Sequence, residues 1–169
     1  MGESIEVVEA AWAAVQGSMD VFGLPLSDAQ QQIVVQALAS MLGGEPDAFF
    51  GKHHIQGDEG DVLLTFHWIK DGVFGYAETL RPSTAEHRPP TTRGWVRALA
   101  SIERVDVEFA YVIPSVVVSG NIGVKKKITA RWSGAAEDTV LDATGSMEQS
   151  ARPALEDLIE LVLASVREH

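Results

Sequence analysis

Apolar residues recur along the first part of the chain at helical spacing. Ile5, Val8, Trp12, Val15 and Met19 follow one another at three- and four-residue steps, which puts them on one stripe of a helix. Glu3, Glu6 and Glu9 sit near its start, where the helix dipole favours negative charge. Gly23 and Pro25 break the pattern. Ser27 and Gln30 have the capping-box spacing, so a second helix is predicted from there, with Val34, Leu38, Met41 and Leu42 on its apolar face and Gly43-Gly44 at its end. Pro46 to Phe50 reads as one more helical turn and residues 51–60 as a polar loop.

The period then changes from helix to strand. Val62, Leu64, Phe66 and Trp68 alternate with Leu63, Thr65, His67 and Ile69, and Asp71-Gly72 separates this run from Val73–Leu80. Asp-Gly between two such runs predicts a two-residue hairpin loop of type I′. Residues 81–93 read as a long loop, and Trp95–Ile102 fits either a short helix or the start of a strand. Further strands are predicted at Arg104–Ile113, Val116–Val118, Ile122–Trp132 and Thr139–Ala143, with turns at Ser119-Gly120-Asn121 and Ser133-Gly134 and a bulge, bend or edge at Pro114. Leu155, Leu158, Ile159, Val162 and Val166 form a helical stripe from about Ala151 to Arg167, with Pro153 in the first turn, where proline is tolerated.

The predicted fold class is therefore α+β: two N-terminal helices, an antiparallel meander sheet or partly open barrel of five to seven strands, and a C-terminal amphipathic helix packed on it. Residues 1–60 form the helical segment and 61–169 the sheet with its closing helix, read together as one compact unit. At 169 residues and 46% apolar, the chain can bury a sizeable core. Having no cysteine, it cannot form disulfides, thiolate metal sites or thiol nucleophiles.

Charge follows the same blocks. Residues 1–61 carry ten acids against Lys52, residues 62–133 carry ten bases against six acids, and residues 134–169 carry eight acids against Arg152 and Arg167. The total of −11 argues against nucleic acid as a partner. The acidic N-terminus lacks the basic start of a secretory signal, and the most apolar window, Phe109–Val118, is too short to span a bilayer as a helix. A soluble, cytoplasmic protein is the expectation.

From Trp95 onward the layout resembles a bacterial pleckstrin-homology-like domain. The resemblance rests on the run Leu99-Ala100-Ser101-Ile102-Glu103-Arg104-Val105-Asp106-Val107, the strand through Ile122–Trp132 and the helix 151–167, and covers at most residues 61–167. It implies a partly open barrel closed by the helix and used for binding proteins or lipid headgroups rather than for catalysis. No phosphoinositide-binding residues carry over, because no basic loop motif flanks Asp71-Gly72. A helix-grip shape, with a curved sheet around a ligand cavity, needs the same strands and final helix.

The hairpin supplies the most informative constellation. A two-residue loop sets Ile69 opposite Phe74, His67 opposite Tyr76, Thr65 opposite Glu78 and Leu63 opposite Leu80, all on one face. Val62, Leu64, Phe66 and Trp68 fall on the other, where Trp68 can lie over Gly75. Thr65, His67, Tyr76 and Glu78 are thus candidate ligand-binding residues. His67 and Glu78 are diagonal neighbours, and a carboxylate beside an imidazole would raise its pKa. The competing reading is a half-exposed sheet face with a cross-strand hydrogen bond.

Lys125, Lys127 and Arg131, with Thr129, share one strand face and form a candidate anion patch. A solvated strand face protected from edge pairing, or docking of the acidic helices, explains the same pattern. Adjacent His53 and His54 beside Asp58, Glu59 and Asp61 lack metal-ligand spacing, and no phosphate loop, nucleophile elbow or dinucleotide fingerprint occurs. No metal, cofactor or catalytic residue is assigned. The function expected is a binding module for a protein partner or for self-association. The alternative is a carrier of a small apolar or amphipathic ligand, or a weak acid/base enzyme, with a sheet-lined pocket around His67, Tyr76 and Glu78.

Overall fold

The computed structural model describes residues 4–19, 26–56, 60–81, 89–112, 123–145, 147 and 151–167. Helix α1 (Ile5–Ser18) starts at Ser4, whose hydroxyl accepts from the Val7 amide. Helix α2 (Asp28–Leu42) opens on the predicted capping box: the Gln30 amide donates to Ser27 Oγ, and the Ser27 amide to Gln30 Oε1. Gly43, in the left-handed conformation at φ 64°, ends it. Ser27→Ala removes one side of this cap and is expected to lower stability by about 1 kcal/mol, measurable as a shift in the urea midpoint.

Residues 48–56, read from sequence as a helical turn and a loop, form strand β1 (Ala48–Gln56). It pairs antiparallel with β2 (Asp61–Lys70), setting Gly51 opposite Phe66 and Lys52 opposite Thr65. Successive strand side chains point to opposite faces, so Phe49 and Phe50 are both buried but in different cores. Asp47 holds the neighbouring turn by accepting from the Asp71 amide at 2.9 Å.

Strand β3 (Val73–Arg81) pairs with β2 in the predicted register, Lys70 opposite Val73 and His67 opposite Tyr76. The loop has the positive φ values that type I′ requires, 50° at Asp71 and 74° at Gly72. Strand β4 (Thr91–Ala98) completes a four-stranded sheet in the order β1-β2-β3-β4, so the end of the predicted loop and the ambiguous segment are mostly strand. A single turn of 3-10 helix at Leu99–Ser101 then redirects the chain into β5 (Ile102–Val112), β6 (Gly123–Trp132) and β7 (Thr139–Asp142), a second antiparallel sheet of three strands. The described strands form two sheets and not a closed barrel. The predictions at Gly23, Pro25, Asp58, Glu59, Pro114, Val116–Val118 and Ser119-Gly120-Asn121 lie outside the described residues.

Helix α3 (Ala151–Arg167) has the predicted limits. Its start is tied down by Arg152, which donates to the carbonyls of Ala143 and Gly145. The four-stranded sheet separates two apolar cores. On one face Phe49, Leu64, Phe66, Trp68 and Ala77 pack with Ala11 and Val15 of α1 and Val34 and Leu38 of α2. Ile5 of the predicted stripe stays exposed, and Ala11 is buried. On the other face Phe50, Ile69 and Phe74 meet Ile128, Ala130 and Trp132 of the second sheet and Leu155, Leu158, Ile159 and Val162 of α3. The fold is α+β, and no described helix is long and apolar enough to cross a membrane.

Candidate functional site

The pairing register carries four strands' side chains onto the sheet face that looks toward the second sheet. Lys52 of β1, Thr65 and His67 of β2, Tyr76 and Glu78 of β3, and Arg93, Trp95 and Arg97 of β4 alternate with the residues that face the helices. Across from them lie Glu137, Asp138, Thr139 and Val140, from the β6–β7 turn and β7. Between them is a cavity of about 590 Å³. All four residues singled out from the hairpin, Thr65, His67, Tyr76 and Glu78, line it. A second cavity of about 390 Å³, at the β1 edge near α3, shares Lys52, His67 and Val140 and adds the apolar Phe50, Leu141, Met147 and Leu155.

The wall of the first cavity is aromatic. The Tyr76 and Trp95 rings stack with centroids 5.6 Å apart, and His67 lies 5.1 Å from Tyr76. The Arg97 guanidinium carbon sits 4.1 Å from the centre of the Trp95 ring and 5.8 Å from that of Trp132, a cation–π arrangement at one end of the wall.

Electrostatics fix the protonation states. His67 is 6% exposed and packed among Phe50, Phe74 and Tyr76. Burial, with a smaller effect from the Lys52 charge, pushes its pKa down to about 3. This reverses the rise expected from a neighbouring carboxylate. No hydrogen bond joins His67 to Glu78. The carboxylate instead accepts from the Tyr76 hydroxyl at 2.7 Å and from the Arg93 guanidinium. Those two contacts hold Glu78 below the ordinary carboxylate range, while burial and the bond to Glu78 push Tyr76 up to about 12. At neutral pH the site therefore holds a neutral imidazole, a protonated phenol and an ionised carboxylate, none titrating near 7 as an efficient acid or base does.

Three residues that line this cavity each carry one fully buried polar atom without a hydrogen-bond partner: Thr65 Oγ1, His67 Nδ1 and Arg97 Nη1. Such atoms are uncommon in native interiors.

The other candidates lie elsewhere. Lys125, Lys127 and Arg131 occupy the β6 face opposite Ile128 and Ala130. Lys127 pairs with Glu108 at 2.9 Å and Arg131 with Asp138 at 3.6 Å. Lys126, on the core-side face, pairs with Glu160 of α3, so one contact of the acidic final helix with this basic strand is present. His53 and His54 are exposed neighbours on β1, and among the described residues no group of three potential metal ligands forms.

Sequence reasoning missed Lys52, Arg93, Trp95 and Arg97. The signal was the alternation Arg93-Gly94-Trp95-Val96-Arg97, which puts two cations and an indole on one face once the segment is a strand. No protein-family model, curated protein or solved structure matches the chain.

Proposed function

We propose that the chain binds a small molecule in the cavity between the four-stranded sheet and the β6–β7 turn, and that it carries this ligand rather than converting it. The observation that carries the reading is one cavity whose lining joins the aromatic rings of His67, Tyr76 and Trp95 to the polar side chains of Thr65, Lys52 and Arg97. Apolar and aromatic walls with a few converging polar groups are the usual make-up of a ligand site. The protonation states favour binding over acid/base chemistry. The resemblance of residues 61–167 to pleckstrin-homology-like domains points toward binding as well, and a cysteine-free chain suits the reducing cytoplasm.

Native mass spectrometry of freshly purified protein, followed by an NMR fragment screen, tests this. The expected result is an added mass lost on denaturation, or fragments that shift the Trp95 indole and His67 resonances. No added mass, with every fragment response mapping away from these residues, overturns it.

Self-association or protein binding is the second reading. The two N-terminal helices do not support it, since they bury their apolar faces on the chain's own sheet. It rests instead on Phe109, Tyr111 and Val124, exposed together on one face of the β5–β6 pair. Size-exclusion chromatography with light scattering is expected to show a dimer that Tyr111→Ser weakens; a strict monomer at high concentration counts against it.

A further inference from the structure

We infer that the ligand of this cavity is an organic anion with an aromatic body, its charge held by Arg97 and Lys52 and its body set against the edges of Trp95 and Tyr76. The inference rests on the small-molecule reading above and adds the class of ligand. Six charged residues line the cavity: Lys52, Arg93, Arg97, Glu78, Glu137 and Asp138. Three are committed within the protein. Glu78 is engaged by Arg93 and Tyr76, and Asp138 faces Arg131 at 3.6 Å. That leaves Lys52, whose charge also acts on the Asp142 carboxylate, and Arg97 against Glu137.

Arg97 is the stronger of the two cations for this purpose. Its guanidinium is laid over Trp95, which orients the fork, and Arg97 forms no ion pair among the described residues. A guanidinium is always charged and has no acceptor atoms, so only a hydrogen-bond acceptor satisfies it, and an oxyanion does so best. Because His67 stays neutral to about pH 3, it adds no charge, and the preference for an anion does not vary across the neutral range. The Tyr76 and Trp95 rings face one another, and their edges give the cavity apolar contact beside this cation.

The chain as a whole carries −11 and repels anions, so any preference for one over its neutral twin comes from the cavity itself. Two fluorescent dyes with the same rings make the comparison: anilinonaphthalene sulfonate, which is anionic, and N-phenylnaphthylamine, which is neutral. The full-length protein is expected to bind the sulfonate roughly tenfold or more tightly than the amine. Arg97→Gln is expected to weaken sulfonate binding by roughly tenfold or more and to change amine binding by at most about twofold, while Arg97→Lys recovers part of the loss. Retained amine binding reports that the variant cavity is still folded. Equal affinity for both dyes, with Trp95 resonances shifted by each, overturns the anion and leaves the cavity as a ligand site. Equal weakening of both dyes by Arg97→Gln also overturns it. Binding of neither dye overturns the inference together with the ligand-binding reading.

Discussion

Gly75→Ala is expected to lower the unfolding free energy by about 3 kcal/mol, at the upper end of what overpacking a core usually costs. Gly75 lies directly across from Trp68 in the β2–β3 register, and the indole lies over it. A Cβ added there would fall 1.9 Å from Trp68 Cε2 and 2.2 Å from Cζ2. The indole is 1% exposed and enclosed by the core under α1 and α2, so it has no room to swing away. The cost therefore falls on the rotamer of Trp68 or on the separation of the two strands. Chemical denaturation of the wild type and the variant measures it, and a loss below about 1 kcal/mol would show that the indole moves freely. The clash also predicts coupling. Trp68→Leu alone leaves a cavity, but Gly75→Ala costs less in that background than in the wild type, because the added methyl meets space instead of a ring.

His67 makes the second large prediction, on stability against pH. In the unfolded chain an imidazole takes up a proton near 6.5; in the folded protein His67 does so only near 3. Between these values the unfolded state binds more protons, so stability rises with pH through this window. The contribution is complete above pH 6.5 and is lost as the pH falls toward 3. At about pH 5 the loss amounts to about 2 kcal/mol, at 1.36 kcal/mol per pH unit. Glu78 and Asp142, both held below the ordinary carboxylate range, also lose stability on acidification. His67→Gln separates the effects, since it removes the imidazole and keeps the carboxylates. Denaturation curves of ligand-free protein at about pH 7 and about pH 5 are expected to show the wild type losing about 2 kcal/mol more than the variant. Parallel losses would mean that the imidazole is already solvated and protonated in the native state.

Both predictions begin from a register that two residues made legible. Asp71-Gly72 sets the loop length, the loop length sets the register, and the register puts Trp68 over Gly75 and His67 beside Tyr76. The helix ends were readable for similar reasons, since a capping box and a left-handed glycine are local chemistry. Strand β1 was hidden because its pattern has no single period. Phe49 and Phe50 are buried on opposite faces, while Lys52, His53, His54 and Ile55 are exposed. The division into two sheets was hidden too: Leu99–Ser101 turns the chain without glycine or proline, so no sequence signal marks the corner. Most of the site was lost with those elements. Thr65, His67, Tyr76 and Glu78 followed from the hairpin, but Lys52 depended on β1, Arg97 on β4, and Glu137–Val140 on packing between sheets. The shift of the His67 pKa was misread because it depends on enclosure by Phe50 and Phe74 more than on any sequence neighbour.

The placement of α3 has a consequence for how the chain is made. Every strand of the four-stranded sheet and both N-terminal helices lie within the first 98 residues, so the first core can close while synthesis is still under way. The second core cannot. Leu155, Leu158, Ile159 and Val162 are translated after every described strand, and until they arrive Phe50, Ile69 and Phe74 lack the helical part of their cover. A nascent chain halted before residue 151 would hold this apolar face open to water and to other chains, and its safety from aggregation would depend on how quickly the seventeen-residue α3 is delivered.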